Sequence, residues 1–448
     1  MPSHAVRDVR AGRHSPFARS GSVTGKLLDD CFAYDQTRLR HEDALAILKE
    51  RIAPVAGSET VPLGETLGRI LAAPVHAPRP VPAHRNAAVD GFSFAAADYS
   101  QDAGAALPVE GRAAAGHGLA QAPRSGVAVR IFTGAIMPEG HDTVVMQEDV
   151  RLATGGRGDS VATIPPGLKP GANVRKAGED LAAGELVLGA GSVLRPQDLA
   201  ALASLGMAQI ACARRLNVGL VSSGDEVMRP GGPLAPGQVY DANAPMLGAL
   251  IASAGARPTD LGIMPDSLPK VKARLGEVAA SFDVIIASGG ASRGEEDHMV
   301  KALDALGKRH LWQLAIKPGR PMSFGQIGDC VVLVLPGNPV AVFVCFLLYA
   351  WPMLRRLGGG AWPEPTRYQL PAQFAFANRK VGRREFWRGI LQETPQGLAV
   401  DKFARDGSGL ISGLRAADGL IDIPEEVAEV RPGDPVAFIP FSGYGIVR

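Results

Sequence analysis

The stretch "VLVLPGNPVAVFVCFLLYAW", Val332 to Trp351, has no charged side chain and is apolar except at PGNP. It reads either as a membrane span or as a buried strand and a buried helix held apart by a turn. Pro336 and Pro339 split it, and the apolar residues 340–351 number only 12 before Pro352, well short of the roughly 20 that cross a bilayer. The second reading is therefore preferred. An uncharged strand ending at Leu335 implies burial on both faces, as in a parallel sheet. Gly337 lets a ligand approach the backbone, and Pro339 suits the first turn of a helix.

The segments before this stretch agree with that reading. From Arg215 the chain alternates: "LNVGLVSSG" predicts a strand and loop, "APMLGALIASAG" a helix, and "RPTDLGIMPD" a strand. "SLPKVKARLGEVAASF" predicts a helix with Ser267 as N-cap, "DVIIASGG" a strand, and "DHMVKALDALG" a helix, with strands near Leu314 and Val332 to follow. This order implies a parallel, three-layer α/β sheet. Upstream, "RHEDALAILKERIA" (Arg40 to Ala53) has helical apolar spacing. Short apolar pieces broken by Gly and Pro then run from Pro54 to about Gly184, a β-rich pattern, and another follows Pro363.

The chain's 448 residues imply several domains. With 47 basic and 45 acidic residues there is no one-signed field to draw nucleic acid or a membrane surface, so any anion site is local. Cys31, Cys212, Cys330 and Cys345 lack zinc-site spacing, and Cys330 and Cys345, in apolar runs, read as buried free thiols of a reducing, cytoplasmic setting. The basic N-terminus lacks the apolar core of a secretory signal and reads as a disordered extension.

Ligands of open α/β sheets bind beyond the carboxyl ends of the strands. Three loops there share small residues: "SSGDEV" (Ser222 to Val227), "SGGASRGEED" (Ser288 to Asp297) and "PGNP". Their N–H groups can hold phosphate, and Asp225, Glu226 and Asp297 are the hard oxygen ligands that Mg²⁺ takes together with phosphates. Asp225 and Glu226 would equally suit a helix N-terminus. In "LAIKPGRPMSFG", Lys317 and Arg320 flank a Pro-Gly turn and can grip a small oxyanion, unless the turn is merely a solvated hairpin.

Read in chain order, "AAVDGF", "IFTGAIMPEGHDTVVMQED", "KAGEDL", "SSGDEV", "DAN", "SGGASRGEEDHM", "AIKPGRPMSFG" and "LPGNPVAVF" closely resemble the molybdopterin molybdenumtransferase family of MoeA proteins and the gephyrin E domain. The resemblance runs from about Leu28 to the C-terminus. It implies a multidomain α/β fold: a tail at 1–26, an elongated linking helical and β domain at 27–76 and 185–214, and a β-rich inserted domain at 77–184. A MogA-like, molybdopterin-binding three-layer domain would fill 215–362, and a small C-terminal β-barrel 363–448. The implied reaction inserts molybdenum from molybdate, a substrate, into adenylylated molybdopterin with Mg²⁺-assisted release of AMP. The implied assembly is a cytoplasmic homodimer with its active site between subunits, in contact with the enzyme of the adenylyltransferase step and with acceptor molybdoenzymes, and with neither nucleic acid nor membrane.

Carried over by motif, the catalytic residues would be Asp90, Thr133, Asp180, Lys317 and Asp297, the first three reaching over from the other subunit. Pterin and AMP would meet Ser222, Gly224, Asp241, Asn243, Ser288, Gly289, Gly290, Pro336, Gly337, Asn338 and Pro339. Molybdate would take Lys317, Arg320, Arg383 and Ser408, and the metal Asp225, Glu226 and Asp297. The chain departs from the family at Ala341, where relatives often carry Ser, at Gln313, where they often carry Lys, and at Arg320, where Lys is common. These departures leave open a tungstate-preferring paralogue. A non-catalytic pterin-binding scaffold is the other alternative, and the retained acidic residues and Lys317 argue against it.

Overall fold

Strands β1 (Asn217–Ser223), β2 (Arg257–Met264), β3 (Val284–Ser288), β4 (Lys308–Gln313), β5 (Pro321–Ile327) and β6 (Cys330–Leu335) form one sheet in the order β2-β1-β3-β6-β5-β4. The computed structural model describes residues 38–154, 160–291 and 297–447, with backbone alone at 154 and 310–313. The expected tail at 1–26, Cys31 and the side chain of Gln313 lie outside the described residues.

β2, β1, β3 and β6 are parallel, but β5 and β4 pair antiparallel. That corrects the expectation of an all-parallel sheet. Gly328, at φ +57°, and Asp329 make a two-residue turn between Ile327 and Cys330, and so short a connection joins only antiparallel neighbours.

Helices α1 (His41–Arg51), α2 (Asn243–Ser253), α3 (Leu268–Val278) and α4 (His298–Leu306) cover the sheet together with α5, residues 339–357. Val218, Leu220, Val284, Ile286, Leu333 and Leu335 pack with α1, α2 and α5, whereas Val221, Ile285, Ala287, Val332 and Val334 pack with α3 and α4. Successive residues of β6 thus enter two different cores, which is why the strand carries no charge. Ser267 does sit at the N-cap of α3, but its side chain makes no capping hydrogen bond.

α5 does not stop at Pro352 as its proline predicts. It runs 19 residues through a π turn at Phe346–Ala350, closed by the Trp351 N–H on the Phe346 carbonyl. The wider turn makes room for a proline ring that would crowd the Leu348 carbonyl and cannot donate to it. Among the described residues α5 is the one helix long and apolar enough to cross a membrane, yet 89% of its apolar window is buried inside the protein. It is a core helix.

A second six-stranded sheet runs in the order Thr143–Met146, Gly91–Phe94, Ala128–Ile131, Ala105–Ala113, Ser160–Ile164, Arg151–Thr154. Before and after it in the chain, Ser58–Pro62 pairs antiparallel with Gln209–Ala213. The C-terminal sheet is built on Arg384–Thr394, which pairs with Gly397–Lys402 on one side and Gly419–Ile423 on the other, and a bridge between Ala372 and Val400 brings its outer strands together. One of its members, Ile316–Lys317, comes from between β4 and β5 and pairs parallel with Arg384–Glu385. Lys317 is therefore fixed at the seam between the α/β layer and the C-terminal sheet.

His41 opens α1 and is fully buried, sharing a 2.7 Å hydrogen bond between Nδ1 and the Tyr349 hydroxyl of α5. Burial first, then the neighbouring Arg384 charge, lowers its pKa from 6.5 to about 4. Between those values the unfolded chain binds a proton that the folded chain refuses. Stability is thus complete above about pH 6.5 and falls toward pH 4 by an amount on the order of 3 kcal/mol. His41→Asn should flatten that part of a urea-midpoint profile against pH; an unchanged profile would remove His41 as the cause.

Candidate active site

A cavity of about 670 Å³ opens beyond the carboxyl ends of β1, β3 and β6. The predicted Ser222, Gly224, Asp241, Asn243, Ser288, Gly289, Gly290, Pro336, Gly337, Asn338 and Pro339 all line it, with Glu226 and Asp297. Asn243 holds its loops together, since Nδ2 donates to the Ser288 hydroxyl and to the Gly337 carbonyl at 2.7 Å each. Asp241 is a scaffold carboxylate. It accepts from Ser222 Oγ, from Arg229 Nη1 at 2.7 Å and from the N–H groups of Asn243 and Ala244, which caps α2.

Glycine is required at 289, where φ is +94° and an added Cβ would stand 2.6 Å from the Ser223 carbonyl oxygen. A Cβ at Gly337 would stand 3.9 Å from Gly289 Cα, an ordinary van der Waals contact that shows the two loops adjoin.

Two expectations about carboxylates need correction. Asp225 and Glu226 do not head a helix, because the short strand Val227–Met228 follows them. Nor are Asp225, Glu226 and Asp297 gathered as a metal-binding trio, for among the described residues no three His, Cys, Asp or Glu side chains form a group that could hold a metal ion. The Asp225 carboxylate accepts from the Asp266 N–H at 2.9 Å, with the Asp225 N–H donating back at 3.3 Å, and Asp225 does not line the cavity. Asp266 does, beside Glu226 and Asp297. The sequence signal for it was its place at the end of β2, the same position that singled out the other loops. One or two wall carboxylates suit Mg²⁺, which takes its remaining ligands from water and substrate phosphates.

A second cavity, of about 430 Å³, lies at the seam with the C-terminal sheet. Lys317, Arg320, Arg383 and Ser408 all line it, and so do Arg38, Arg388 and Lys402, which sequence reasoning missed. Six cationic side chains face this space against one carboxylate, Asp406, itself bonded by Lys402 Nζ at 2.7 Å. Trp387 and Phe403 add aromatic wall, and Ala341 lines it where the resemblance places a hydroxyl. Pro321, Pro336 and Asn338 belong to both cavities, so PGNP is the partition between them.

Arg388 clamps the loop that carries Ser408. Its Nη1 and Nη2 donate to the Leu410 and Arg405 carbonyls at 3.1 and 2.7 Å, and its guanidinium lies 4.9 Å from the Phe403 ring centre. Its sequence signal lies in the stretch "GRREFWRG", Gly382 to Gly389, five residues past Arg383. Arg388→Lys keeps the charge but loses the fork, so amide hydrogen exchange across 405–410 should speed up by about tenfold. Unchanged exchange would refute the clamp.

Asp90, Thr133 and Asp180 line neither cavity. The N–H and hydroxyl of Thr133 both donate to Asp90 Oδ1 at 2.8 Å, and these bonds hold the Asp90 carboxyl below its usual range. Asp180 sits on an exposed turn anchored by its N–H to the Val81 carbonyl.

Three family descriptions match the chain in succession. They are the MoeA N-terminal region (domains I and II) over residues 39–206, a probable molybdopterin binding domain over 219–356, and the MoeA C-terminal region (domain IV) over 369–441. The molybdopterin molybdenumtransferase of Haemophilus influenzae is 34% identical over 403 residues, covering 90% of this chain and 98% of that protein. Molybdopterin molybdenumtransferase 2 of Mycobacterium tuberculosis is 35% identical over 406 residues, covering 88% and 96%. Among solved structures, the molybdopterin biosynthesis MoeA protein of Pyrococcus horikosii superposes with a TM-score of 0.76 at 30% identity, covering 90% of this chain and 99% of that one.

Proposed function

The chain belongs to the molybdopterin molybdenumtransferase (MoeA) family, and from that membership we propose that it inserts molybdenum from molybdate into adenylylated molybdopterin and releases AMP. It is an enzyme of molybdenum cofactor biosynthesis. The observation that carries the detailed reading is the pair of cavities meeting at Pro336 and Asn338, one lined by small loops and carboxylates, the other by cations.

The larger space takes the adenylylated pterin. Backbone at Ser288, Gly289 and Gly290 approaches its phosphates, while Asn243 fixes those loops against PGNP. The smaller space takes molybdate, whose two negative charges meet Lys317, Arg320 and Arg383 with Ser408 beside them. Cations already in place when charge shifts lower the barrier without reorganisation. Glu226 and Asp297 would hold Mg²⁺, which supplies positive charge to the phosphates as AMP leaves.

A homodimer is part of the proposal. Because Asp90, Thr133 and Asp180 stand away from both cavities of their own chain, a second copy would bring its own Asp90–Thr133 pair to the reacting groups. Buried free thiols at Cys212, Cys330 and Cys345 support a reducing cytoplasm. We also propose the domain division 27–76 with 185–214, 77–184, 215–362 and 363–448, and hand-over from the enzyme of the adenylyltransferase step and on to acceptor molybdoenzymes.

Purified protein with adenylylated molybdopterin, Mg²⁺ and molybdate should release AMP; no AMP above a no-protein control sinks the reading. Ala341 in the cavity wall favours one further comparison, with tungstate in place of molybdate. Equal or faster turnover with tungstate would make this chain a tungstate enzyme.

A further inference from the structure

Glu385 stands behind the cations of the smaller cavity, outside its wall, and the reaction described above makes no use of it. Its carboxylate is 2% exposed. Oε2 accepts from the Trp387 indole N–H at 3.0 Å and lies 3.4 Å from Lys317 Nζ. Oε1 lies 3.2 Å from Arg383 Nε and 3.7 Å from Arg379 Nη1. Arg379 is occupied elsewhere, donating to the carbonyls of Val427, Arg383, Pro424 and Glu425. Lys317 and Arg383 are different: each shows a large part of its side chain, 49% and 37%, and each lines the cavity.

One buried carboxylate therefore holds two of the cations assigned to the oxyanion, which meet it from separate elements of the seam. We infer that Glu385 is a positioning residue that sets the oxyanion affinity of the cavity, aligning Lys317 and Arg383 while competing with the bound dianion for them. This rests on the oxyanion reading of that cavity. Without that carboxylate both cations would be free for the dianion, and a dianion held more tightly in its ground state would pass across the PGNP partition more slowly. Burial by itself would raise the pKa of Glu385, but the Trp387 indole and the Lys317 and Arg383 charges outweigh it and keep the carboxyl below its ordinary value. The competitor is thus charged at neutral pH.

Glu385→Gln keeps the shape and can still accept from Trp387, but removes the charge. Equilibrium dialysis with molybdate should give a Kd lower by on the order of tenfold, and AMP release at saturating molybdate should slow by a similar factor. Glu385→Asp, which retains the charge, should bind within about threefold of wild type. A merely structural role predicts weaker binding in both variants. A Gln variant with native near-UV circular dichroism and unchanged or weaker affinity overturns the inference. If that variant does not fold, Trp387→Phe serves instead: the carboxylate loses its neutral donor, leans harder on Lys317, and molybdate Kd should rise; an unchanged Kd overturns the inference equally. Lys317→Ala in the same dialysis separates the two levels. If wild-type binding does not depend on Lys317, the oxyanion reading falls and the inference with it. If it does and Glu385→Gln is silent, only the inference falls.

Discussion

Lys317→Ala is expected to lower kcat/KM for molybdate, measured by AMP release, by about 10²- to 10³-fold, the usual cost of losing one preorganised charge donor at a reacting oxyanion. Position is the reason. Lys317 is paired by its backbone to Arg384–Glu385, half exposed to the cavity and 3.4 Å from the Glu385 carboxylate. Alanine removes one cation and also leaves Glu385 with a stronger negative field at the place proposed for the dianion. The fold should survive, because the strand pairing uses only main chain. A variant within threefold of wild type, with native circular dichroism, would remove Lys317 from the reaction.

Gly289→Ala is expected to destabilise the α/β domain by about 2–3 kcal/mol and to abolish nucleotide binding at concentrations that saturate the wild type. At φ +94° any side chain is strained, and the new Cβ would stand 2.6 Å from the Ser223 carbonyl, a backbone atom that cannot swing away. The two loops would separate, and with them the amides proposed to meet the phosphates. Gly232→Ala is the control: nothing lies within 4 Å of its added Cβ, so its urea midpoint should stay within about 0.5 kcal/mol of wild type. Equal effects at the two positions would contradict the close-packed loop account.

Much of this site was legible in the chain itself because the relevant signals are local. PGNP after an uncharged strand, SGG after "DVIIA" and SSG after "LNVGLV" each mark a strand end, and a parallel sheet gathers its strand ends at one edge. What stayed hidden either leaves no mark in the local pattern or depends on contacts distant in the chain. The Gly328–Asp329 turn stands in the sequence, but it marks an antiparallel edge only once the residues on both its sides are known to be paired strands. Pro352 reads as a helix stop because the π turn that accommodates it leaves no mark in the apolar pattern. Asp225 reads as a metal ligand because its partner, Asp266, lies 41 residues away. Glu385 reads as one more charge in an arginine-rich motif until its partners, Lys317 and Trp387, are known.

On the proposed reading, the cation-lined cavity is the oxyanion chamber and the loop-lined cavity its neighbour across PGNP. Anomalous diffraction at the molybdenum edge from crystals soaked in molybdate tests this most directly. A molybdenum peak is expected within the space bounded by Lys317, Arg383 and Ser408, lost in Lys317→Ala crystals. A peak in the larger cavity beside Glu226 and Asp297, or none in the cationic one at saturating molybdate, would contradict it.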